Sequence, residues 1–403
     1  MAFQGHRSFT AIQAAIRPLR VSKILLLALS LTATTASADG LNSSKQRLQI
    51  SPPNDSSPVK NLEGSWKLTL SAHDTRDDLN QTSGVVYSGD LNLRYHLTPW
   101  LLLNGAPSLK GKSGHVQTES DASLTGAESA TFQVRNASAD FMFLQNSRLQ
   151  LGIANQGEVH TPLLISEKGF PAIRLQLRAQ EEEFVQWSSF AQAAVPTSSS
   201  LTTNSREFEP TPSFNSVGVG GGVLSSQVEW RSQLAAFEYK NLPTTVSSAS
   251  GLLGNSVQIT NSTDSQFVYA CRGIEAQSKG MARLNHRWQL NFELSALQNT
   301  SAPKGLNTGV FGQLATSYQL NSRFTLKPFV ESFRIEPDAS VAYYSSNQLQ
   351  PNTVGYRGGI SARYQNIFSI AGSGGERAPI FLSPSQLRER FIDITLETLD
   401  AKF

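Results

Sequence analysis

The sequence predicts an all-β fold: a transmembrane antiparallel up-and-down β-barrel of about sixteen strands, fourteen and eighteen being the neighbouring even counts. Three observations carry this. The first is a recurring hairpin, seen in Leu93–Leu103, Phe143–Leu151, Arg283–Leu290 and Tyr318–Leu326. In each, an alternating strand ends in Leu or Phe-Leu, a short polar turn follows, and a bulky apolar residue opens the next alternating strand. The second is the alternation of short turns (near 98–99, 145–147, 182–183, 225–226, 285–286, 321–322 and 366) with longer polar connections (near 75–83, 113–127, 159–170, 195–214, 241–265, 299–307, 336–353 and 375–388). The third is strand length. Several alternating segments exceed the usual soluble strand of about five or six residues, whereas a tilted membrane strand needs about ten.

The elements follow in chain order. Arg17, Arg20 and Lys23 precede an apolar run from Ile24 to Leu31, and Ala36-Ser37-Ala38 supplies small residues for cleavage before Asp39. Residues 1–38 therefore read as a secretory signal peptide, too short in its apolar part for a membrane helix. The stretch before Val21 is long for such a leader, so Val21 is an alternative start to Met1. Residues 39–62, with Pro52, Pro53 and Pro58, read as a flexible periplasmic arm. The barrel is expected over 63–403, its strands at 65–74, 84–97, 100–112, 128–144, 148–158, 171–181, 184–194, 215–224, 227–240, 266–284, 287–298, 308–320, 323–335, 354–365, 367–374 and 389–403. Parity breaks near Phe132/Val134 against Ala139/Phe141, and near Leu396 against Leu399/Ala401, point to bulges.

The full chain has 34 Lys and Arg against 31 Asp and Glu. Removing Arg7, Arg17, Arg20 and Lys23 with the leader leaves thirty against 31, a net of −1. The basic balance belongs to the leader, and nucleic acid is excluded as a partner. Cys271 is the single cysteine, so no intrachain disulfide forms; it is expected mid-strand, facing lipid or buried as a small hydrophobe. Beyond the leader no apolar run approaches about 18 residues, so helical spans are excluded.

Period-two faces assign side chains to the lumen or to lipid. Lys67, Arg94, Arg135, Arg148, Arg174, Arg178, Arg231, Arg323, Lys327, Arg357 and Arg363 fall on polar faces, with Asp90, Glu229, Glu293, Glu331, Asp393 and Glu397 as fewer acidic counterparts. A cationic wall favours entry of anions. The alternative is that these charges pair across strands. Trp66, Tyr95, Trp100, Trp288, Tyr318, Phe324, Tyr364 and Phe368 cluster beside the short turns, as an interfacial aromatic girdle does. No cofactor and no metal is expected, since no His pair has ligand spacing and Glu181-Glu182-Glu183 sits at a turn. A nucleophile elbow is absent, and Gly218-Val219-Gly220-Gly221-Gly222 lacks the Lys of a phosphate loop.

The leader, the hairpins, the turn asymmetry and the final strand Phe391–Phe403 ending on an aromatic together resemble the Gram-negative outer-membrane β-barrel superfamily, and the size resembles its sixteen-stranded porins. The resemblance is one of architecture. It implies Phe403 as the assembly signal, the barrel assembly machinery and outer-membrane lipid as partners, homo-oligomerisation as an option, and periplasmic termini. Porins narrow their channel with an inward-folded long loop. The third connection here, 159–170, is short, so 195–214 or 241–265 is expected to supply any constriction. The function so implied is passive diffusion of small hydrophilic solutes with a weak anion preference. A non-conducting barrel with binding or structural surface loops is the runner-up. A lumen or rim enzyme, a hydrolase testable at His73 and His160, is third.

Overall fold

The computed structural model describes residues 62–402 except 78, 119–120, 145–146, 183–184, 199–209, 261–264, 366, 383–385 and 400. The signal peptide, the arm as far as residue 61 and Phe403 lie outside the described residues. Strands dominate: β1 (Leu62–Arg76), β2 (Asn80–Thr98), β3 (Leu101–Thr118), β4 (Asp121–Leu144), β5 (Ser147–Asn155), β6 (Gly169–Glu182), β7 (Val185–Ala194), β8 (Ser213–Leu224), β9 (Val228–Lys240), β10 (Val257–Ile259), β11 (Ser265–Phe267), β12 (Arg272–Arg283), β13 (Trp288–Asn299), β14 (Thr308–Gln319), β15 (Phe324–Ile335), β16 (Thr353–Tyr364), β17 (Phe368–Pro379), β18 (Glu389–Thr398) and β19 (Ala401–Lys402). Among the described residues one α-helix, α1, spans Thr244–Leu252.

Each barrel strand pairs antiparallel with the next. β9 pairs with β12, and β18 returns to β1 from Thr69↔Glu397 to Arg76↔Arg390. This closes a sixteen-stranded antiparallel barrel with no free edge along that seam. β10 and β11 form a separate hairpin, so the barrel strand expected over 266–284 starts only at Arg272.

The same alternation that suits a soluble sandwich here points the other way. On β6, Ile173, Leu175 and Leu177 are 59%, 37% and 40% exposed, while Arg174 and Gln176 between them are 0% and 6% exposed. The apolar face looks out all round: Leu68 and Leu70 on β1, Tyr87 on β2, Val217 and Val219 on β8, Leu294 on β13, Ile360 on β16, and Ile392 and Ile394 on β18. Water gives no reason to display such a belt, whereas hydrocarbon does.

Both expected register breaks are present. Ala106 pairs with Asn136 and Pro107 with Val134, so Arg135 is an extra residue on β4. Glu397 faces Thr69 and Ala401 faces Trp66, which puts one extra residue between β18 and β19. Two connections differ from expectation. Among their described residues the segments 75–83 and 113–127 are largely strand: β1 reaches Arg76, β2 begins at Asn80, β3 reaches Thr118 and β4 begins at Asp121. β2, β3 and β4 run on past the apolar belt, where a strand needs no apolar face and therefore carries no apolar pattern to read.

Candidate functional site

The interior is divided by the third long connection, 156–168. It does not lie over the rim but turns into the barrel, where the expectation named 195–214 or 241–265; of the latter, Val246 packs into the same interior cluster, and 199–209 of the former lie outside the described residues. Its entry is local. Gly152 takes φ +123°, a region that side chains rarely adopt, and a Cβ there would sit 2.4 Å from the Ala137 carbonyl oxygen. Asn155 then accepts the Gly157 N–H at 3.0 Å and caps a 3-10 turn, Gln156–Glu158.

A continuous polar chain holds this loop against the wall. Arg174 cannot accept, so its Nε donates to Gln192 Oε1 (2.8 Å) and fixes the orientation of that amide. Gln192 Nε2 must then donate, to Gln156 Oε1 (2.7 Å) and to His160 Nε2 (3.0 Å). The imidazole therefore carries its proton on Nδ1 and donates it to Glu275 Oε1 on β12. Glu275 Oε2 accepts from the Thr161 N–H (3.1 Å) and hydroxyl (2.9 Å). Gln233 on β9 donates to the Val159 carbonyl at 2.6 Å. One short loop is thus tied to β6, β7, β9 and β12. The imidazole is also held edge-on to Phe190 and Phe214, with ring centroids at 5.6 and 5.2 Å.

Ser216 Oγ lies 3.1 Å from His160 Nε2, so Ser216, His160 and Glu275 stand in the order of nucleophile, base and orienting carboxylate. All three are buried, and the base nitrogen already accepts from Gln192. The group serves as an anchor. Sequence reading named only His160, as a loop residue. The signal for its partners was inward parity: Gln192 and Ser216 are polar residues set among inward Phe190, Ala194 and Phe214.

Toward the long-loop end the packed part of the lumen is apolar. Leu163, Leu164 and Ile165 of the inward loop are fully buried with Phe170, Phe214, Phe237, Tyr239, Val246 of α1, Leu297, Phe333, Ile335 and Tyr344. The connections interlock: Ser166 N–H donates to Tyr344 O (2.8 Å), and Asn255 Nδ2 to Pro337 O and Ser340 O (2.6 and 2.7 Å). Cys271, expected mid-strand and either facing lipid or buried as a small hydrophobe, lies just before β12 and is buried inward in this cluster, on the same parity as Gly273 and Glu275. Lys168 Nζ donates to Tyr343 O and lies over the Tyr343 and Tyr344 rings. Burial lowers its pKa from 10.5 to about 8.

The inward faces of β1–β3 and β18 remain accessible. Of the basic candidates, Lys67 pairs with Glu397 (2.7 Å), and Arg135 bridges Asp90 and Glu167 (2.6 Å to the latter). Arg148 joins Asp140 (2.8 Å) and Glu158 (2.6 Å), and Arg174 approaches Glu158 at 3.5 Å. Arg231 meets Glu229 at 2.8 Å, and Arg357 meets Glu331 at 3.9 Å. Glu293 takes Lys279 (3.1 Å) and Gln277 (3.1 Å). Pairing across the wall thus accounts for much of the arginine set. Arg178 is exposed toward a short turn, apart from buried Arg174, so the two form no ladder. Arg323 sits in the short turn before β15 and not in the wall, and Arg363 donates to the Gln365 carbonyl at the end of β16. Arg94, Lys110, Lys112 and Lys327 have no ion-pair partner among the described residues.

The aromatic candidates stand outward at the short-turn end and pair between neighbouring strands: Trp288 with Tyr318 (4.5 Å between centroids), Phe324 with Tyr364 (4.9 Å), and Tyr364 with Phe368 (5.5 Å). Trp100 stacks on Phe141 at 6.2 Å, and Trp66 and Tyr95 are exposed.

No family model matches this chain. No curated protein matches it either. Solved structures do. The high-pH structure of Pseudomonas putida OprB aligns at a TM-score of 0.55 and 10% identity, covering 85% of this chain and 94% of that one. The low-pH structure of the same protein gives 0.52 and 7%, covering 84% and 92%. The chain therefore has the closed sixteen-stranded architecture of outer-membrane porins, with an identity too low to carry more than the fold.

Proposed function

We propose that this protein is an outer-membrane channel through which small hydrophilic solutes diffuse passively. The observation that carries the reading is the inward loop. It fills the lumen against β5–β9 and β12 and leaves the polar inward faces of β1–β3 and β18 accessible, so the wall offers one hydrated sector beside a packed one. The passage is then lined by Lys67 and Glu397, Thr69, Ser71, Arg94, Lys110, Lys112, Asp393 and Thr395, and faces Arg135, Glu167 and Glu158 at the loop. A weak anion preference rests on Arg94, Lys110, Lys112 and Lys327, not on the buried Arg174. The barrel termini and short turns face the periplasm and the long connections the exterior. The outward Trp66, Tyr95, Trp100, Trp288, Tyr318, Phe324, Tyr364 and Phe368 form the girdle at the periplasmic interface. Oligomerisation and delivery by the assembly machinery fit this reading.

Planar-bilayer recording of the mature chain in KCl tests it. Stable current steps, with a reversal potential under a salt gradient displaced toward the anion side, are expected. A second reading, a closed barrel with a surface role, draws on the apolar cluster around Leu164 and Tyr344. Silence from a folded barrel would favour it. Orientation is tested by labelling an introduced Asn347→Cys, an exposed position of the 336–352 connection, on intact cells.

A further inference from the structure

The long-loop rim carries a feature that solute passage does not use. On the outward face of the closing seam, Arg76 of β1 stands directly opposite Arg390 of β18, and Arg388 lies two residues before Arg390. They share the outward parity of Leu68, Leu70, Ile392 and Ile394. Two carboxylates face the patch. Glu376 of β17 receives both Arg388 and, at 3.7 Å, Arg390. Asp74 of β1 receives Gln81 Nε2 at 3.2 Å. Arg76 has no ion-pair partner among the described residues. Like charges directly opposite on an antiparallel pair repel, and guanidiniums side by side suit an anion with several oxygens.

Height identifies the anion. Arg76 follows Trp66 along β1 by ten residues; at about 3.3 Å per residue and a strand tilt of about 40°, it stands about 25 Å above the aromatic, the height of an apolar belt. The patch thus begins where hydrocarbon ends, on the lipid side of the wall and not in the lumen. Phe381 and Leu382, on the connection between Glu376 and Arg388, add exposed apolar surface.

We propose that Arg76, Arg388 and Arg390 form a site for the phosphate groups of an anionic glycolipid in the outer leaflet. The proposal takes the long-loop rim to face the exterior, as in the proposed function, but binding is measured in detergent and needs no conductance.

The test is binding of the detergent-solubilised mature barrel to purified lipopolysaccharide, to the same lipid enzymatically dephosphorylated, and to inorganic phosphate. The Arg76→Ala/Arg390→Ala double variant is compared with Arg287→Ala, a basic residue of a short turn, each checked for the heat-modifiable migration of a folded barrel. The double variant is expected to bind the intact lipid about 30-fold more weakly. Arg287→Ala should match the wild type, and the dephosphorylated lipid should bind the wild type as weakly as the intact lipid binds the double variant. Retained affinity in the double variant, or equal affinity for the dephosphorylated lipid, would overturn the proposal. Full competition by millimolar phosphate would overturn its assignment to a lipid.

Discussion

Two sectors of one wall meet the lumen differently. Beneath the loop, inward side chains such as Arg174, Gln192, Ser216 and Glu275 are buried, and their polar groups are spent on neighbours: Arg174 on Gln192 and Gln150, Gln192 on Gln156 and His160, Glu275 on His160 and Thr161. Along β1–β3 and β18 the inward side chains stay accessible, and some charges, such as Arg94 and Lys110, carry no carboxylate partner among the described residues. Both sectors alternate with period two. What separates them is the loop: once 156–168 enters the barrel, the polar groups it covers draw on protein partners in place of solvent. The wall beneath the loop is packed as a core, and the wall facing away stays accessible.

The comparison can be broken from the packed side first. Glu275→Ala would leave His160 and the Thr161 N–H and hydroxyl buried without an acceptor, an expected loss of about 3–5 kcal/mol. It should appear as a lower temperature of heat modification and as noisier current steps. Arg174→Met removes donors to Gln192, Gln150 and the Asn155 carbonyl, and about 2 kcal/mol is expected by the same readout. From the open side, replacing Arg94, Lys110 and Lys112 together by Ala should lower the anion/cation permeability ratio roughly twofold while leaving stability unchanged.

Lys168 links the loop to the 336–352 connection, and its effect has a sign. Its folded pKa of about 8 lies below the ordinary 10.5, so between those values the unfolded chain holds a proton that the folded chain does not. Stability should therefore rise as pH climbs from about 8 toward 10.5. Lys168→Met should remove that rise. The smallest effect is expected at Lys67, whose partly exposed pair with Glu397 contributes at most about 1 kcal/mol. Lys67→Ala should barely move the unfolding temperature.

The barrel was legible because its outward face repeats. Ile173-x-Leu175-x-Leu177 and Ile392-x-Ile394-x-Leu396 each announce a strand, and short turns such as Asn321-Ser322 announce the reversal. The tall ends of β2, β3 and β4 were not legible, since Thr82, Ser83, Ser113 and Gly114 sit above the belt and need no apolar face. The inward loop was not legible from length, since a short connection suffices when it crosses the interior directly. The signal lay in composition: Leu163-Leu164-Ile165 in a connection that otherwise faces water, and inward Phe214, Phe237 and Phe333 on faces expected to be polar. The charge pairs could not be read from parity, which gives the face but not the register.

The division of the lumen is most directly tested by thiol block of single channels. Ser71→Cys on the accessible sector and Ser216→Cys beneath the loop would each be exposed to a bulky, charged thiol reagent while conductance is recorded, native Cys271 being buried. The expected result is a stepwise loss of current for Ser71→Cys and none for Ser216→Cys. Block at Ser216→Cys with none at Ser71→Cys would place the passage through the packed sector and contradict the division of the lumen described above.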